Sequence, residues 1–237
     1  MKGLKIPVVS GFKISKFDYE NNFEKLKYRL KFLKFPLIMK SNNGGSSIGL
    51  FVVKNREEFD EKIKESFEFD DEVLIEKYCQ KAREFNVALV GNSDNFEISE
   101  IDEPVKVDEV LSFSDKYLSG ENTKKGEFQK NSMASQARKF PADISNELTQ
   151  KIKSIATKIF KNLNLVGIVR IDFLYQEKNN KLYVCEVNAI PGSLAYYFFS
   201  ENKITTNSLV KKLIQLSIEN RIKYTDLNKD YYTNILD

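Results

Sequence analysis

The stretch LVGIVRIDFLYQEKNNKLYVCEVNAIPG, residues 165–192, decides how this chain reads. Leu165–Leu174 and Lys181–Val187 are dominated by Val, Ile, Leu, Phe and Tyr, with the polar Gln176–Asn180 between them. That pattern predicts two antiparallel strands joined by a short turn. Arg170 and Asp172 interrupt the first apolar run, Glu186 interrupts the second, and Asn188 follows it. Side chains alternate faces along a strand, so Glu186 and Asn188 project the same way, and Arg170 shares a side with Asp172. If the strands pair, two carboxylates and an amide oxygen converge. Such an oxygen-only set suits Mg2+ that also takes phosphate oxygens. The plainer alternative is an Arg170–Asp172 ion pair. Pro191-Gly192 then forms a tight turn whose Gly192 N–H can face a reacting centre.

Upstream, Phe23, Leu26, Leu30 and Leu33 fall at helical spacing within residues 20–34, after an extended Ile6–Val9 piece. Phe35–Lys40 reads as a buried strand, Ile48–Val53 as a second, and Val73–Ile75 as a third ending at Glu76. Phe59, Ile63 and Phe67 predict a helix over 56–67. Phe85–Val90 and Phe96–Ile101 flank Gly91-Asn92-Ser93-Asp94 as a hairpin. Helices are expected over 146–162 and about 205–220. Residues 114–143 lack apolar periodicity, and a stretch of that length is usually functional. Strands with helices interposed in no regular βαβ series make the fold α+β with two packed layers.

Between the first two strands lies Lys40-Ser41-Asn42-Asn43-Gly44-Gly45-Ser46-Ser47. Paired glycines expose backbone N–H groups, two hydroxyls follow and a lysine precedes, a set able to wrap a phosphate. It is not a Walker A loop, because the Gly-Lys-[Ser/Thr] ending is missing and a strand follows. An ordinary Gly-Gly hairpin turn is equally compatible with the spacing.

Composition narrows the chemistry. The chain has 237 residues and no histidine, which excludes Ser-His-Asp and Cys-His nucleophiles and His-ligated zinc. Chemistry must come from Lys, Arg, Asp, Glu, Ser, Tyr, backbone groups and a bound metal. Two separated cysteines, Cys79 and Cys185, show no metal spacing and fit a reducing cytoplasm. Net charge is +3 with interleaved signs and no basic block, so no nucleic-acid partner is expected. No apolar run approaches a membrane span, so no membrane partner is expected either.

Six motifs in order resemble the ATP-grasp superfamily, more narrowly the D-alanine–D-alanine ligase family. They are Lys40 with Gly44–Gly49, Val73–Tyr78, Arg83-Glu84, Asp115–Leu118, Arg170–Phe173 and Glu186–Gly192. The resemblance covers about residues 1–220. It implies two α+β subdomains clasping ATP between antiparallel sheets: a central one over 1–75 and a C-terminal one over 76–222, with a closing loop at 114–143 and a polar tail at 223–237. It implies a carboxylate–amine ligase working through an acyl phosphate, with D-alanine as substrate, in peptidoglycan precursor synthesis. Lys40 and Lys116 would offset phosphate charge, and Ser47 would cover the phosphates. Glu76 would belong to the nucleotide site, the backbone at Lys77–Cys79 would meet the adenine, and Glu84 the ribose hydroxyls. Asp172, Glu186 and Asn188 would hold Mg2+, or Mn2+ in its place. Arg170 and the Gly192 N–H would form the oxyanion site, and Ser46 with Tyr117 would orient the first substrate. Substitution of Asp172 or Glu186 is expected to weaken Mg-ATP binding with the fold intact.

Three departures from the family pattern stand out. The resemblance begins at the family's central subdomain, so it implies a missing N-terminal domain, or a homodimer or partner chain in its place. Glu76 to Glu84 is one residue longer than usual. After Gly192 the chain reads Ser193-Leu194-Ala195-Tyr196-Tyr197-Phe198 in place of the usual serine-bearing run. A different acid and amine, or a non-catalytic ATP-binding fragment, therefore stand as alternatives.

Overall fold

Leu37 and Met39 alternate with Ile38 and Lys40, and this period of two makes β2 (Leu37–Ser41) a strand with one buried face. It lies in a four-stranded sheet of order β1-β4-β2-β3, with β1 at Gly11–Ser15, β3 at Phe51–Val53 and β4 at Glu72–Lys77. All three pairings are antiparallel. The computed structural model describes residues 2–44, 49–105, 138–200 and 204–225.

Helices α1 (Lys16–Asn21), α2 (Phe23–Leu30) and α3 (Arg56–Phe69) accompany this sheet. Asn55 starts α3 by accepting from the Glu58 N–H at 2.9 Å, while Glu58 accepts from the Lys54 N–H at 2.8 Å. This reciprocal cap satisfies donors that a helix start leaves open. Phe59, Ile63 and Phe67 then fall on one face and join Phe12, Ile14, Leu26, Leu37, Met39, Val73 and Ile75 in one core. Phe59 is fully buried, so Phe59→Ala would cost about 3–5 kcal/mol.

The second sheet has the order β10-β9-β5-β6, with β5 at Arg83–Gly91, β6 at Phe96–Ile98, β9 at Gly167–Gln176 and β10 at Lys181–Asn188. The hairpin pairs Leu89 with Ile98 and Gly91 with Phe96. A two-stranded pair joins β7 (Glu103–Pro104) to β8 (Arg138–Lys139). Ser145 caps α4 (Asn146–Asn162) by accepting from the Leu148 N–H at 3.2 Å, and α5 covers Thr206–Thr225. A second core gathers Ala88, Val90, Ile168, Ala195, Phe198, Phe199 and Leu209.

The chain divides into two compact units. One comprises Met1–Phe85, Glu103–Lys139 and Phe173–Glu186; the other comprises Asn86–Asp102, Phe140–Asp172 and Val187–Asp237. The α+β expectation holds, and most elements fall where the sequence puts them. Three differ. The N-terminal strand is Gly11–Ser15, and Ile6–Val9 contributes only a bridge from Val8 to Val184. The strand expected over Ile48–Val53 is Phe51–Val53. The last helix runs on to Thr225, past the expected start of the tail.

Candidate functional site

Register brings Lys40 to Glu76. Lys40 lies opposite Leu74 and Ile38 opposite Glu76, so Glu76 is the diagonal neighbour of Lys40 on one face of the sheet. The Lys40 ammonium donates to Glu76 Oε2 at 2.8 Å and lies 3.8 Å from Cys185 Sγ. Burial works against its charge, but Cys185, Glu76 and Glu186 prevail and hold it above the ordinary lysine value. It therefore stays cationic at any physiological pH.

The strand end beyond Glu76 is pinned through its backbone. The Lys77 N–H donates to Ser10 O at 2.9 Å and the Tyr78 N–H to Pro36 O at 3.0 Å. Cys79 follows half-buried, and burial, with Glu76 next, pushes its thiol up. The Ala82 N–H closes a turn onto Cys79 O at 3.3 Å, with Lys81 in the left-handed region at φ 53°. Arg83 then forks onto Glu103, Nε to Oε1 at 2.7 Å and Nη2 to Oε2 at 2.8 Å, and reaches Glu177 Oε1 at 2.9 Å. The Arg83 hydrogen bond holds the Glu103 carboxyl below its usual range, against burial. Glu84 lines a pocket of about 260 Å3 with Arg83, Glu103, Pro104, Val105 and Lys139.

The two ends of the Gly/Ser loop are anchored. Asn42 Nδ2 donates to Glu72 Oε2 at 3.0 Å and Asn43 Nδ2 to Asp70 Oδ1 at 3.1 Å. Gly49 is buried in the left-handed region at φ +69°, where an added Cβ would meet Phe69 Cβ at 3.2 Å. Only glycine adopts that conformation without strain. Ser46 and Ser47 lie outside the described residues, as do Lys116, Tyr117 and the closing loop up to residue 137.

In the second unit, Arg170 and Asp172 realise the ion pair that the sequence offered as the plainer alternative. Nε meets Oδ1 at 2.7 Å and Nη2 meets Oδ2 at 2.8 Å, with both side chains 9% exposed. Asn188 Nδ2 adds a hydrogen bond to Asp172 Oδ2 at 3.0 Å. The expected Asp172–Asn188 neighbourhood thus exists. Glu186 precedes Asn188 by two positions on β10 and is exposed. Among the described residues no three His, Cys, Asp or Glu side chains gather as a metal site. The expected donor set has two carboxylates and an amide. Its chemistry fits Mg2+: with Nδ2 turned to Asp172, the Asn188 amide oxygen is the acceptor that remains for a cation. A cation on Asp172 competes with Arg170 for the same oxygens.

Gly192 is exposed and opens a turn in which the Leu194 N–H donates to Pro191 O at 3.0 Å. Ser193, Leu194 and Ala195 all have left-handed backbones, at φ 53°, 48° and 45°. Each non-glycine residue there costs about 1 kcal/mol or more. Ala195, Phe198 and Phe199 are fully buried and hold the turn in place. Sequence reasoning missed Glu103 and Glu177 beside Arg83, and Cys185 beside Lys40. These contacts link residues 20, 94 and 145 positions apart, and no local pattern signals them.

A family model described as "D-ala D-ala ligase C-terminus" matches residues 1–215. A D-alanine–D-alanine ligase of Thermosipho africanus is 36% identical over 219 residues, covering 92% of this chain and 55% of the relative. One from Helicobacter pylori strain P12 is 37% identical over 179 residues, covering 76% and 47%. The chain spans about half the length of the curated relatives it matches. Among solved structures, the Helicobacter pylori D-alanine–D-alanine ligase aligns with TM-score 0.63 at 32% identity, over 90% of this chain and 58% of that one. The VanG D-Ala:D-Ser ligase of Enterococcus faecalis aligns with TM-score 0.71 at 25% identity, over 91% and 58%. The chain has the ATP-grasp fold and belongs to the family defined by the C-terminal part of D-alanine–D-alanine ligase.

Proposed function

We infer that this chain carries the nucleotide-binding and catalytic part of an ATP-dependent carboxylate–amine ligase of the D-alanine–D-alanine type, acting in the cytoplasm on peptidoglycan precursors. The observation that supports it most is the hydrogen-bonded trio Arg170, Asp172 and Asn188. It joins a guanidinium, a carboxylate and an amide, groups that the charge stabilisation in such a reaction calls for.

In the first step an oxygen of the acid substrate attacks the γ-phosphorus of ATP. The new O–P bond forms as the β–γ bridge breaks, giving an acyl phosphate and ADP. Lys40 exchanges Glu76 for phosphate oxygens and offsets their charge. The backbone at Lys77–Cys79 orients the adenine, Glu84 accepts from the ribose hydroxyls, and Ser47 and Lys116 close on the phosphates. Mg2+, or Mn2+, held by Asp172, Glu186 and Asn188 would neutralise charge shared by the phosphate oxygens. In the second step the amine nitrogen attacks the acyl carbon. The C–N bond forms, phosphate departs with the C–O electron pair, and the ammonium proton goes to phosphate or solvent. Arg170 and the Gly192 N–H stabilise the intermediate oxyanion, a contribution of a few kcal/mol in such sites. Ser46 and Tyr117 orient the first substrate.

The test is D-alanine-dependent phosphate release with Mg-ATP, using the full-length protein in which this chain occurs. Turnover is expected in the full-length protein. ATP binding without turnover there would make the chain a non-catalytic nucleotide module, and no ATP binding would reject the nucleotide site itself.

A further inference from the structure

Arg83 ties together the walls of the pocket beside Glu84. From the start of β5 it makes three charge-assisted hydrogen bonds to two other segments of its own unit. Nε and Nη2 take both oxygens of Glu103 on β7, at 2.7 and 2.8 Å, and Nη1 reaches Glu177 beyond β9 at 2.9 Å. The Glu103 side chain is 13% exposed, so water does little to screen the fork. The guanidinium also lies over the ring of fully buried Phe85, 4.9 Å from its centroid. Glu84 therefore stands in the chain between two anchored residues. The opposite partner of the fork needs that support. β7 and β8 are two residues long each and pair Glu103 with Lys139, and so short a ribbon has little stability of its own. Glu103, Pro104 and Lys139 line the pocket from this ribbon, and Arg83 and Glu84 line it from β5. At about 260 Å3 it is smaller than the roughly 300–1,000 Å3 that encloses a whole ligand, so it suits one part of a nucleotide. A carboxylate reads sugar hydroxyls through hydrogen bonds of narrow length and angle, so whatever fixes the wall around Glu84 sets how well it reads them.

We propose that Arg83 is a positioning residue for the nucleotide's sugar: its fork onto Glu103 holds the pocket in the shape that lets Glu84 meet the ribose hydroxyls. This rests on the ligase reading and deepens it by naming what sets recognition of the sugar. Lysine at this position keeps the charge, but a point charge on a flexible stem cannot hold both carboxylate oxygens in one plane. Arg83→Lys therefore separates the fork from the charge.

The experiment uses the full-length protein in which this chain occurs and measures Kd for ATP and for 2′,3′-dideoxy-ATP by calorimetry, both with Mg2+. Wild type is expected to bind ATP at least about tenfold more tightly, the value of a hydrogen bond to a charged group. Arg83→Lys is expected to weaken ATP to the level of the dideoxy nucleotide and to leave dideoxy-ATP within about twofold of wild type. Glu103→Gln removes the charge from the other side of the fork and is expected to shrink the same ratio, which keeps the test open if Arg83→Lys does not fold. Equal weakening of both nucleotides, or an unchanged ratio in either variant, means that the fork serves stability alone and overturns the inference. Equal binding of the two nucleotides by wild type overturns it as well and leaves the ligase reading standing. Absence of ATP binding rejects the nucleotide site, and the inference with it.

Discussion

Lys40 and Arg170 are both cations assigned to a substrate's negative charge, and both are held by a carboxylate, but on different terms. Lys40 meets Glu76 through one contact and keeps 24% of its side chain exposed. Arg170 grips Asp172 with both arms of its fork at 9% exposure, and Asn188 braces the same carboxylate. An ammonium is a point charge on a flexible stem, whereas a guanidinium is a rigid planar fork. Under the proposed function, Lys40 would therefore exchange partners when a phosphate arrives. Arg170 is built to stay in place and carry its environment with it. The same pairing of charges serves as a latch in one unit and as a fixture in the other.

The strongest way to break this contrast is Asp172→Ala. It strands a buried guanidinium, so urea unfolding is expected to show a loss of about 3–5 kcal/mol. This revises the expectation that the fold would survive the change intact, because the carboxylate supports Arg170 as well as any metal. Lys40→Ala comes next. ATP affinity measured by calorimetry is expected to fall about tenfold, the value of a charge-assisted hydrogen bond, with a far smaller change in stability than Asp172→Ala. Equal destabilisation by both substitutions would erase the distinction. Glu186→Ala is expected to weaken Mg-ATP binding while moving the unfolding free energy by no more than about 0.5 kcal/mol, since this side chain is exposed.

Arg83 offers a third case between the two. It forks onto Glu103, whose carboxyl its hydrogen bond holds below the ordinary 4.5. A lowered carboxylate contributes stability above the unfolded value, and that contribution is lost as pH falls through the lowered folded value. Wild type should therefore be more stable than Glu103→Gln near pH 7, with the difference shrinking steadily below about pH 4.5. A difference independent of pH would mean that the fork contributes by packing alone.

Much of this was legible in local pattern. Phe59, Ile63 and Phe67 announce α3, and the alternation on either side of Gly91–Asp94 announces the β5–β6 hairpin. Asp172 and Asn188 were legible as neighbours because a short turn fixes which residues of β9 and β10 can meet. Gly11–Ser15 was missed although Phe12 and Ile14 alternate correctly, because five residues give a period of two little weight beside the apolar Ile6–Val9. β7 and β8 were missed because two-residue strands owe their existence to a partner more than 30 positions away. The Lys40–Glu76 latch depends on the β2–β4 register, which no local pattern contains. That Arg170 would take both oxygens of Asp172 was visible only as an alternative, because sharing a strand face shows that two residues can meet and not that they do.

The order β1-β4-β2-β3 has a consequence for how the chain is made. β4 hydrogen-bonds on both sides, yet it is the last of its four strands to leave the ribosome. Before residue 72 emerges, β1 has no neighbour in this sheet, and the β2 edge that β4 will cover stays open beside Leu37 and Met39. A translational pause just upstream of β4 would therefore hold a sticky nascent chain that needs chaperone cover. Once Lys77 is clear of the ribosome, β4 closes that gap by pairing with both β1 and β2.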